Sequence, residues 1–344
     1  MSGLLEVAAA GLANTVQDRG RRGYRHMGVA LSGSLDPLMA ACANALVGNQ
    51  SGAACIEIRY HGPELRVMRG PVQVALAGPV GASVIRSRGA EQTLSAWTTT
   101  TLDVGDLVRI GAPAGGTAYL AVSGGVDTPL ELGSRATYLR ASIGGVHGRA
   151  LAVGDRLDCR AVSTEGQRER RQSAWAHAIG PIRVIPGPQA DAFESAVLCT
   201  FFENDWAVTP EMDRMGMRLA GPALVHRSPE AADIVSDGVT PGCIQVPGNG
   251  QPIVLLADCQ TVGGYPKIAT VITADLPRLA QCQPGERLRF VAVDTATARA
   301  ALIEQNRAHS LWVGGIEVYR PPGRVDESAL YSENLISGMI DARV

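Results

Sequence analysis

Lysine is almost missing from this sequence. Of its 31 lysine and arginine residues, thirty are arginines, and Lys267 is the single lysine. An ammonium group is a compact point charge that loses its proton more readily than a guanidinium when it is desolvated. A lysine retained in a chain that otherwise uses arginine is therefore a candidate for such chemistry. The alternative is a chance lysine on a loop.

Aromatic residues, net charge and long apolar runs are also scarce. Aromatics make up 4% of the chain, so the core must consist of Val, Leu, Ile and Ala. The formal net charge of -2 does not indicate a nucleic-acid or anionic-membrane partner. No segment is long and apolar enough to cross a bilayer, and the N-terminus lacks the basic region of a secretory signal. We therefore expect a cytoplasmic protein.

Metal and nucleotide motifs are missing too. The seven cysteines are scattered, odd in number and free of C-x-x-C pairs, which favours a reducing compartment and argues against structural zinc. The six histidines are isolated from one another, and we predict no metal site. The sequence has no Walker motif, no G-x-S-x-G elbow, no H-E-x-x-H and no Met-Lys-Met biotin-attachment sequence. No cofactor is therefore expected to bind through a recognisable motif.

Glycine and proline are abundant, at 40 and 20 residues, and they separate short apolar segments that predict β-strands. One helix is predicted after Asp36 and ends before Gly48, and another runs from about Thr295 to Gln305 after Asp294. This pattern favours a mainly β fold of barrels or sandwiches with few helices. The predicted strands are Val72 to Ala77, Leu107 to Ile110, Ala118 to Val122, Ile253 to Ala257 and Arg287 to Val293.

Three glycine-containing segments recur in the same order, and the second and third are 35 residues apart in both copies. This spacing is typical of an internal duplication, and chance similarity is the alternative. We predict a first lobe over residues 1–165, a second over 174–300, and a C-terminal helix and arm over 301–344. A polar linker, 163–173, joins the lobes. The matching pairs are Met27–Gly33 with Met215–Gly221, Gly70–Ala77 with Gly250–Ala257, and Gly105–Ile110 with Gly285–Phe290.

Polar residues set among glycines are the candidates for chemistry. In the second lobe several of them follow apolar strands, where loops commonly carry binding groups. Neighbouring glycines let a backbone approach a ligand closely. The alternative for each Asp or Gln is that it satisfies the amides of a turn. The second-lobe candidates are Asp213, Arg214, Asp237, Gln245, Asp258, Gln260, Tyr265 and Lys267.

The first lobe adds Arg19 and Asn44 as candidates. Arg19 or Arg21 could hold a carboxylate bidentately, and an Arg–Asp structural network is the alternative. Asn44 lies in the predicted first helix, from which it could reach a neighbouring loop. Asp36 has an N-cap role that explains it without a ligand.

Seven segments carry a specific combination of residues: Thr15-Val16-Gln17-Asp18-x-Gly20-Arg21-x-Gly23-Tyr24, Ser32-Gly33-x-x-Asp36, Ala43-Asn44-x-Leu46-Val47-Gly48-Asn49, Gly133-Ser134-Arg135-x-Thr137-Tyr138, Asp213-Arg214-Met215-Gly216-x-Arg218-Leu219, Ser236-Asp237-Gly238 and Gln260-Thr261-x-Gly263-Gly264-Tyr265-Pro266-Lys267. Together they resemble the biotin-dependent carboxyltransferase family. This family includes the C-subunit of 5-oxoprolinase, allophanate hydrolase subunit 2 and the antagonist of the sporulation kinase inhibitor. Two departures are Val262, where the family usually has Thr, and Cys259, where it often has Arg.

The resemblance implies two cyclophilin-like β-barrel lobes, in agreement with the duplication. It also implies a smaller partner subunit of related barrel fold and a third, lactam-handling subunit. The leading function is then the C-subunit of a heteromeric 5-oxoprolinase, an enzyme that opens 5-oxo-L-proline to L-glutamate with ATP used by the assembled complex. Whether the isolated chain has activity stays open at this point.

In that reaction we predict Lys267 as the main electrophile or as the charge that neutralises phosphate, with Asp258 and Gln260 positioning the substrate. This hypothesis requires the ammonium to lie in a concavity rather than in bulk solvent. One alternative is the carboxyltransferase component of a biotin-dependent urea or amide carboxylase, and another is a non-enzymatic antagonist that binds a kinase inhibitor. The residues predicted to bind substrate are Asp237, Gln245, Tyr265, Asp213, Arg214, Asn44 and Arg19.

Overall fold

The computed structural model describes residues 2–160 and 168–319. Within these residues the chain is mainly β, with 23 strands and four α-helices, so the predicted fold class of two β-barrel lobes with few helices is confirmed. The predicted C-terminal arm from residue 320 onward and residues 163–167 of the predicted linker, 163–173, lie outside the described residues. The division into 1–165, 174–300 and 301–344 stays a prediction.

The first lobe contains two antiparallel sheets that share one apolar core, which includes Leu5, Val74 and Leu120. Its strands are β1 (Gly3–Ala9), β2 (Thr15–Gln17), β3 (Cys55–Ile58), β4 (Glu64–Arg69), β5 (Val72–Ala77), β6 (Val80–Ile85), β7 (Glu91–Leu94), β8 (Thr99–Leu102), β9 (Leu107–Pro113), β10 (Ala118–Val122) and β11 (Arg156–Cys159). One sheet has the order β11-β1-β4-β9-β6-β7 and the other β2-β3-β10-β5-β8. The small aliphatic side chains predicted for the core fill the space between them.

The second lobe contains an eight-stranded sheet in the order β21-β14-β15-β18-β17-β20-β13-β22. Two short ribbons, β16-β19 and β12-β23, accompany it. The remaining strands are β12 (Arg170–Arg171), β13 (Ile182–Pro186), β14 (Trp206–Met212), β15 (Gly216–Ala220), β16 (Asp237–Gly238), β17 (Cys243–Gln245), β18 (Ile253–Leu255), β19 (Val262–Gly263), β20 (Lys267–Val271), β21 (Arg287–Leu288), β22 (Phe290–Ala292) and β23 (Glu317–Val318).

Two of the helices agree with the sequence in their caps. Helix α1 (Pro37–Leu46) begins after Asp36, whose side chain accepts a hydrogen bond from the Met39 N–H at 2.9 Å. Helix α4 (Thr295–Gly314) begins after Asp294 as predicted, but it continues beyond Gln305 because no glycine or proline interrupts it before Gly314. The other two helices, α2 (Ser195–Glu203) and α3 (Leu276–Leu279), were not predicted from the sequence.

Two predicted strands are shorter than expected. The strand at Ile253 ends at Leu255 rather than at Ala257, where the chain turns to the first lobe and the Ala257 carbonyl accepts from the Ser32 N–H at 3.0 Å. The segment after Arg287 divides into β21 and β22 because it changes partners. Its first part pairs with β14 and its second part runs parallel to β13.

The matched segments at Gly105 and Gly285 form the same turn, which also occurs at Gly154, and each glycine has φ close to +90° (89°, 92° and 87°). In each case the glycine N–H donates to a valine carbonyl on a neighbouring strand, and the N–H of that valine donates to the carbonyl of the next acidic residue. The copy at Gly154 was not recognised in the sequence. The match of Met27–Gly33 with Met215–Gly221 is not structural, since the first begins in a 3-10 turn and the second forms β15. The valines that accept from Gly105, Gly154 and Gly285 in the three turns are Val67, Val7 and Val208, respectively.

Candidate functional site

One face of the second sheet carries a row of four side chains. The strand register pairs Arg218 with Ile253, Ile253 with Gln245, and Gln245 with Lys267, across β15, β18, β17 and β20. The pairing of β17 with β20 shifts register between Ile244 and Gln245, and beyond this shift Lys267 stands at the end of a row of directly paired residues that begins at Arg218. The adjacent row faces the apolar core and consists of Met217, Val254, Ile244 and Ala269.

A cleft of about 480 Å³ lies over this row. Arg218, Ile253 and Gln245 line it, whereas Lys267 is not among its lining residues. Four of the residues that the sequence predicted for the site meet there, and the remaining walls come from the end of β14 and from Met215, Gly216 and Leu255. The four predicted residues are Asp213, Gln245, Gln260 and Tyr265.

Lys267 is buried beside the cleft and not out in bulk solvent. Its side chain is 3% exposed, and its ammonium lies 2.7 Å from a carboxylate oxygen of Asp237, whose own side chain is 54% exposed. An ammonium has three donors, and Asp237 takes one of them. The pair therefore consists of a buried cation covered by a carboxylate that water reaches.

Asp237 is held in place by backbone pairing. Strands β16 and β19 form a ribbon in which Asp237 pairs with Gly263, close to Tyr265 and Lys267 in the sequence. Its carboxylate also accepts from its neighbour, the Gly238 N–H, at 2.7 Å. The hydrogen bond from Lys267, followed by those from Gly238 and Gln189, lowers the pKa of Asp237 from its ordinary value of 3.8. The carboxylate is thus ionised over the whole neutral range.

Gln189 also contacts this pair, although it was not predicted from the sequence. Its amide donates to Asp237 at 3.3 Å and its carbonyl oxygen accepts from the Lys267 backbone N–H at 3.3 Å. Gly187 makes this approach possible, because a Cβ at that position would stand 1.9 Å from the Lys267 carbonyl oxygen. The signal was present: Gly187-Pro188-Gln189 directly follows the apolar segment that forms β13, just as Asp258 and Gln260 follow the predicted strand Ile253 to Ala257.

Asp258 and Arg214 form a second, separate ionic group. The guanidinium binds both oxygens of Asp258, from Nε at 2.9 Å and from Nη2 at 3.0 Å, and it also binds Glu57 of the first lobe. Burial opposes the charge of Arg214, but Asp258 and Glu57 outweigh it and raise the pKa of the guanidinium. We call Glu57, Arg214 and Asp258 the buried triad. The carboxylate of Asp258 is therefore engaged by Arg214, away from Lys267.

The buried triad continues into the first lobe. Glu57 accepts from the Tyr119 hydroxyl and from the Leu35 N–H, both at 2.8 Å, and Tyr119 accepts from the Asp36 N–H at 2.8 Å. Burial, then the charges of Glu57 and Asp36, raises the pKa of Tyr119 well above 10. Asp36 in turn contacts His177 at 2.7 Å. This chain of polar contacts joins the lobes along one seam.

Three predicted residues have local roles apart from Lys267. Asp213 accepts from the N–H groups of Met215 and Gly216, so it stabilises a turn although it also lines the cleft. Asn44 is buried and donates to the Ala53 carbonyl at 2.9 Å, as its position in the helix suggested. Arg19 is exposed and contacts the Ser51 hydroxyl.

Neither a metal cluster nor a membrane helix is found in the described ranges. Among residues 2–160 and 168–319, no group of three or more His, Cys, Asp or Glu residues is arranged to hold a metal ion. Over the same part of the chain, every helix is too short or too polar to cross a bilayer.

Comparison with known proteins gives a consistent relationship. The family model described as "Carboxyltransferase domain, subdomain A and B" matches residues 27–292. The C-subunit of 5-oxoprolinase from Escherichia coli (strain K12) is 36% identical over 312 residues, which cover 88% of this chain and 96% of that protein. The chain belongs to the carboxyltransferase domain family. The resemblance drawn from the seven segments is thereby confirmed.

Solved structures extend the comparison. The K. lactis urea amidolyase matches with a TM-score of 0.81 and 28% identity, over 90% of this chain but 20% of that one. The protein TTHA0988 matches with a TM-score of 0.72 and 33% identity, over 84% of this chain and 56% of that one. This chain thus spans about half of TTHA0988 and a fifth of the urea amidolyase.

Proposed function

We propose that this chain is the C-subunit of a heteromeric, ATP-dependent 5-oxoprolinase that opens 5-oxo-L-proline to L-glutamate together with partner subunits. The observation that supports this most is the near-complete alignment with the E. coli C-subunit, which covers 96% of that protein. The K. lactis urea amidolyase, by contrast, is matched over only 20% of its length.

The cleft offers groups suited to a lactam. A five-membered lactam with a carboxylate presents a carbonyl oxygen, an N–H and an anion. The amides of Gln245 and Gln260 can both donate and accept, and Tyr265 adds an aromatic ring with a hydroxyl. A volume of about 480 Å³ lies in the range usual for small-molecule sites.

Lys267 supplies positive charge at the end of the row. Opening a lactam places negative charge on the carbonyl oxygen or on a phosphate transferred to it, and a preorganised donor in a buried site stabilises such charge strongly. We assign that role to the Lys267 ammonium. Because Asp237 is half exposed, an anionic substrate group can displace its carboxylate into water and take its place.

Asp258 acts through Arg214 rather than on the substrate directly. Its carboxylate fixes Arg214, and its own N–H donates to the Arg214 carbonyl at 2.8 Å. Two residues later the chain presents Gln260 to the cleft. We therefore propose that Asp258 positions Gln260. The sequence predicted that Asp258 positions the substrate directly, and in this proposal it does so through Gln260.

The partners follow from the same proposal. We infer a smaller subunit of related barrel fold and a third, lactam-handling subunit, with ATP used by the assembled complex. All seven cysteines of the described chain are free thiols, which supports a reducing compartment such as the cytoplasm.

The test is reconstitution. The chain should be co-expressed with the two inferred partner subunits. Glutamate release from 5-oxo-L-proline should then be measured with and without ATP. We expect ATP-dependent release that disappears when this chain is left out. Equal release without this chain would reject the proposal.

A second candidate is the carboxyltransferase component of a biotin-dependent urea or amide carboxylase. The TM-score of 0.81 with the K. lactis urea amidolyase favours it. In this function Lys267 would stabilise negative charge beside the biotin ring. The discriminating assay supplies carboxybiotin and urea to the chain, and carboxyl transfer in the absence of glutamate release from 5-oxo-L-proline would favour this candidate.

A further inference from the structure

Arg25 of the first lobe reaches into the second lobe beside the site. It begins the 3-10 turn Arg25–Met27, and its Nη2 donates to the carbonyl of Val239 and, at 3.2 Å, to the carbonyl of Gln260. These acceptors are 214 and 235 residues away in sequence. One guanidinium nitrogen therefore binds two distant segments at once.

The two segments are the ones that carry the site. Val239 follows the strand that holds Asp237, the partner of Lys267, and Gln260 lines the cleft. The segments are also joined to each other, since the Val239 N–H donates to the Thr261 carbonyl at 3.1 Å. Arg25 therefore binds these two segments to the first lobe at one end of the ribbon of β16 and β19, directly after β16 and shortly before β19.

The charge of Arg25 is felt at the same place. Burial raises the pKa of the Cys259 thiol, and Arg25 opposes that effect, so that the pKa of this thiol is about 11. Cys259 stands between Asp258, which belongs to the buried triad, and Gln260. Arg25 is thus close to the turn that connects the buried triad to the cleft.

We propose that Arg25 is a positioning residue, which holds the Asp237 and Gln260 segments in register with Lys267. The part of this inference that concerns turnover rests on the proposed function, whereas the part that concerns geometry does not. Without the guanidinium, the ribbon of β16 and β19 would move away from the sheet, and Asp237 would leave the ammonium more often.

The single lysine of this chain provides a direct readout. Lys267 is the single side-chain amine that an amine-acylating reagent can modify, and mass spectrometry of the peptide that contains Lys267 measures the rate of this reaction. In Arg25→Met we expect Lys267 to be acylated about tenfold faster, the effect of losing a charge-assisted hydrogen bond. The control is Arg22→Met, an exposed neighbouring arginine, which should label at the wild-type rate.

A buried thiol separates local release from unfolding. Cys282 lies in the core of the second lobe, 7% exposed, and its alkylation in the same sample reports opening of that core. Faster labelling of Lys267 with unchanged alkylation of Cys282 supports the proposal. An unchanged rate at Lys267, or equal acceleration at both residues, overturns it.

Turnover of the assembled complex gives the second arm. A positioning role predicts that Arg25→Met lowers kcat for glutamate release about tenfold and leaves the KM for ATP unchanged. A wild-type kcat in this variant would contradict the inference. If the wild-type complex releases no glutamate, only the proposed function fails, and the labelling rates still decide the role of Arg25.

Discussion

Arg214 and Lys267 are both buried cations of the second lobe, with side chains 7% and 3% exposed, yet they have different surroundings. Arg214 binds two carboxylates, Glu57 and Asp258, whose side chains are only 1% and 4% exposed. Lys267 binds one carboxylate, Asp237, which is 54% exposed. The cations are alike in burial, and it is their partners that differ.

This difference separates a structural charge from a chemical one. Arg214 cannot take up a ligand without leaving two buried carboxylates unpaired, which is strongly unfavourable. Lys267 can exchange its partner, because water is able to solvate Asp237 when a substrate anion replaces it. The exposure of the counter-ion, more than the burial of the cation, therefore supports the proposal that Lys267 rather than Arg214 acts on substrate.

Removing the guanidinium of the buried triad tests the structural half of this comparison. Arg214→Met should lower the free energy of unfolding by about 3–5 kcal/mol, because Glu57 and Asp258 remain buried without their cation. Urea unfolding measures it. The matched control is Arg109→Met, which breaks an exposed ion pair with Glu64 and should change stability by less than about 1 kcal/mol. Equal effects of the two variants would contradict the assignment.

A methyl group at Gly187 tests how closely the site is packed around Lys267. Gly187→Ala would force the loop away from the Lys267 carbonyl, costing about 1–3 kcal/mol of stability and moving Gln189 off Asp237. The midpoint temperature of unfolding and the rate of glutamate release should both fall. Gly81→Ala, where the new methyl meets open space, is the control. A variant with unchanged stability would show that the loop is not closely packed.

The hydroxyl of Tyr119 links the buried triad to helix α1. Tyr119→Phe should lower the free energy of unfolding by about 1 kcal/mol, since it removes the hydrogen bonds to Glu57 and from the Asp36 N–H. Turnover should change little, because this residue lies on the structural side of the comparison. Tyr60→Phe, at an exposed position, provides the baseline for urea unfolding. A loss of turnover in Tyr119→Phe that its loss of stability does not explain would contradict the structural assignment of this residue.

Acid titration tests the chemical half with the smallest expected change in stability. The pKa of Asp237 is lowered in the folded chain, so its stabilisation is complete above the ordinary value of 3.8 and is lost as the pH falls through the lowered pKa. The free energy of unfolding of wild type should thus exceed that of Asp237→Asn by a constant margin at neutral pH. That margin should begin to shrink near pH 3.8 and be lost below the lowered pKa when unfolding is followed across the range. A margin that persists at low pH would mean that the carboxylate charge contributes nothing.

Local features of the fold were accessible from the sequence. The Asp36-Pro37 start and Gly48 define α1, and glycine-bounded apolar runs define β5 and β10, because these signals act over a few residues. The length of α4 and the division of β21 from β22 were missed. The sequence allowed the longer α4, since no glycine or proline interrupts it before Gly314, whereas the division of β21 from β22 depends on a change of strand partner that local patterns do not encode.

The site was predictable in part for the same reason. Lys267 stood out by composition, and Gln260 and Tyr265 by their glycine-rich loop. The buried triad was not predictable, since Arg214 meets Glu57 across 157 residues and two lobes. Asp258 looked like a substrate ligand because its sequence environment is that of a binding loop, and only the structure gives it Arg214 as a partner.

Turnover and stability of Lys267→Met, measured on the assembled complex and on the chain, test the central claim most directly. Methionine keeps most of the side-chain length and removes the charge. Water can then solvate the carboxylate of Asp237, which is exposed and has lost its ammonium partner. We predict that ATP-dependent glutamate release falls by about 100-fold or more, while the unfolding midpoint in urea stays near that of wild type. Wild-type turnover, or a loss of turnover matched by unfolding of the chain, would contradict the account.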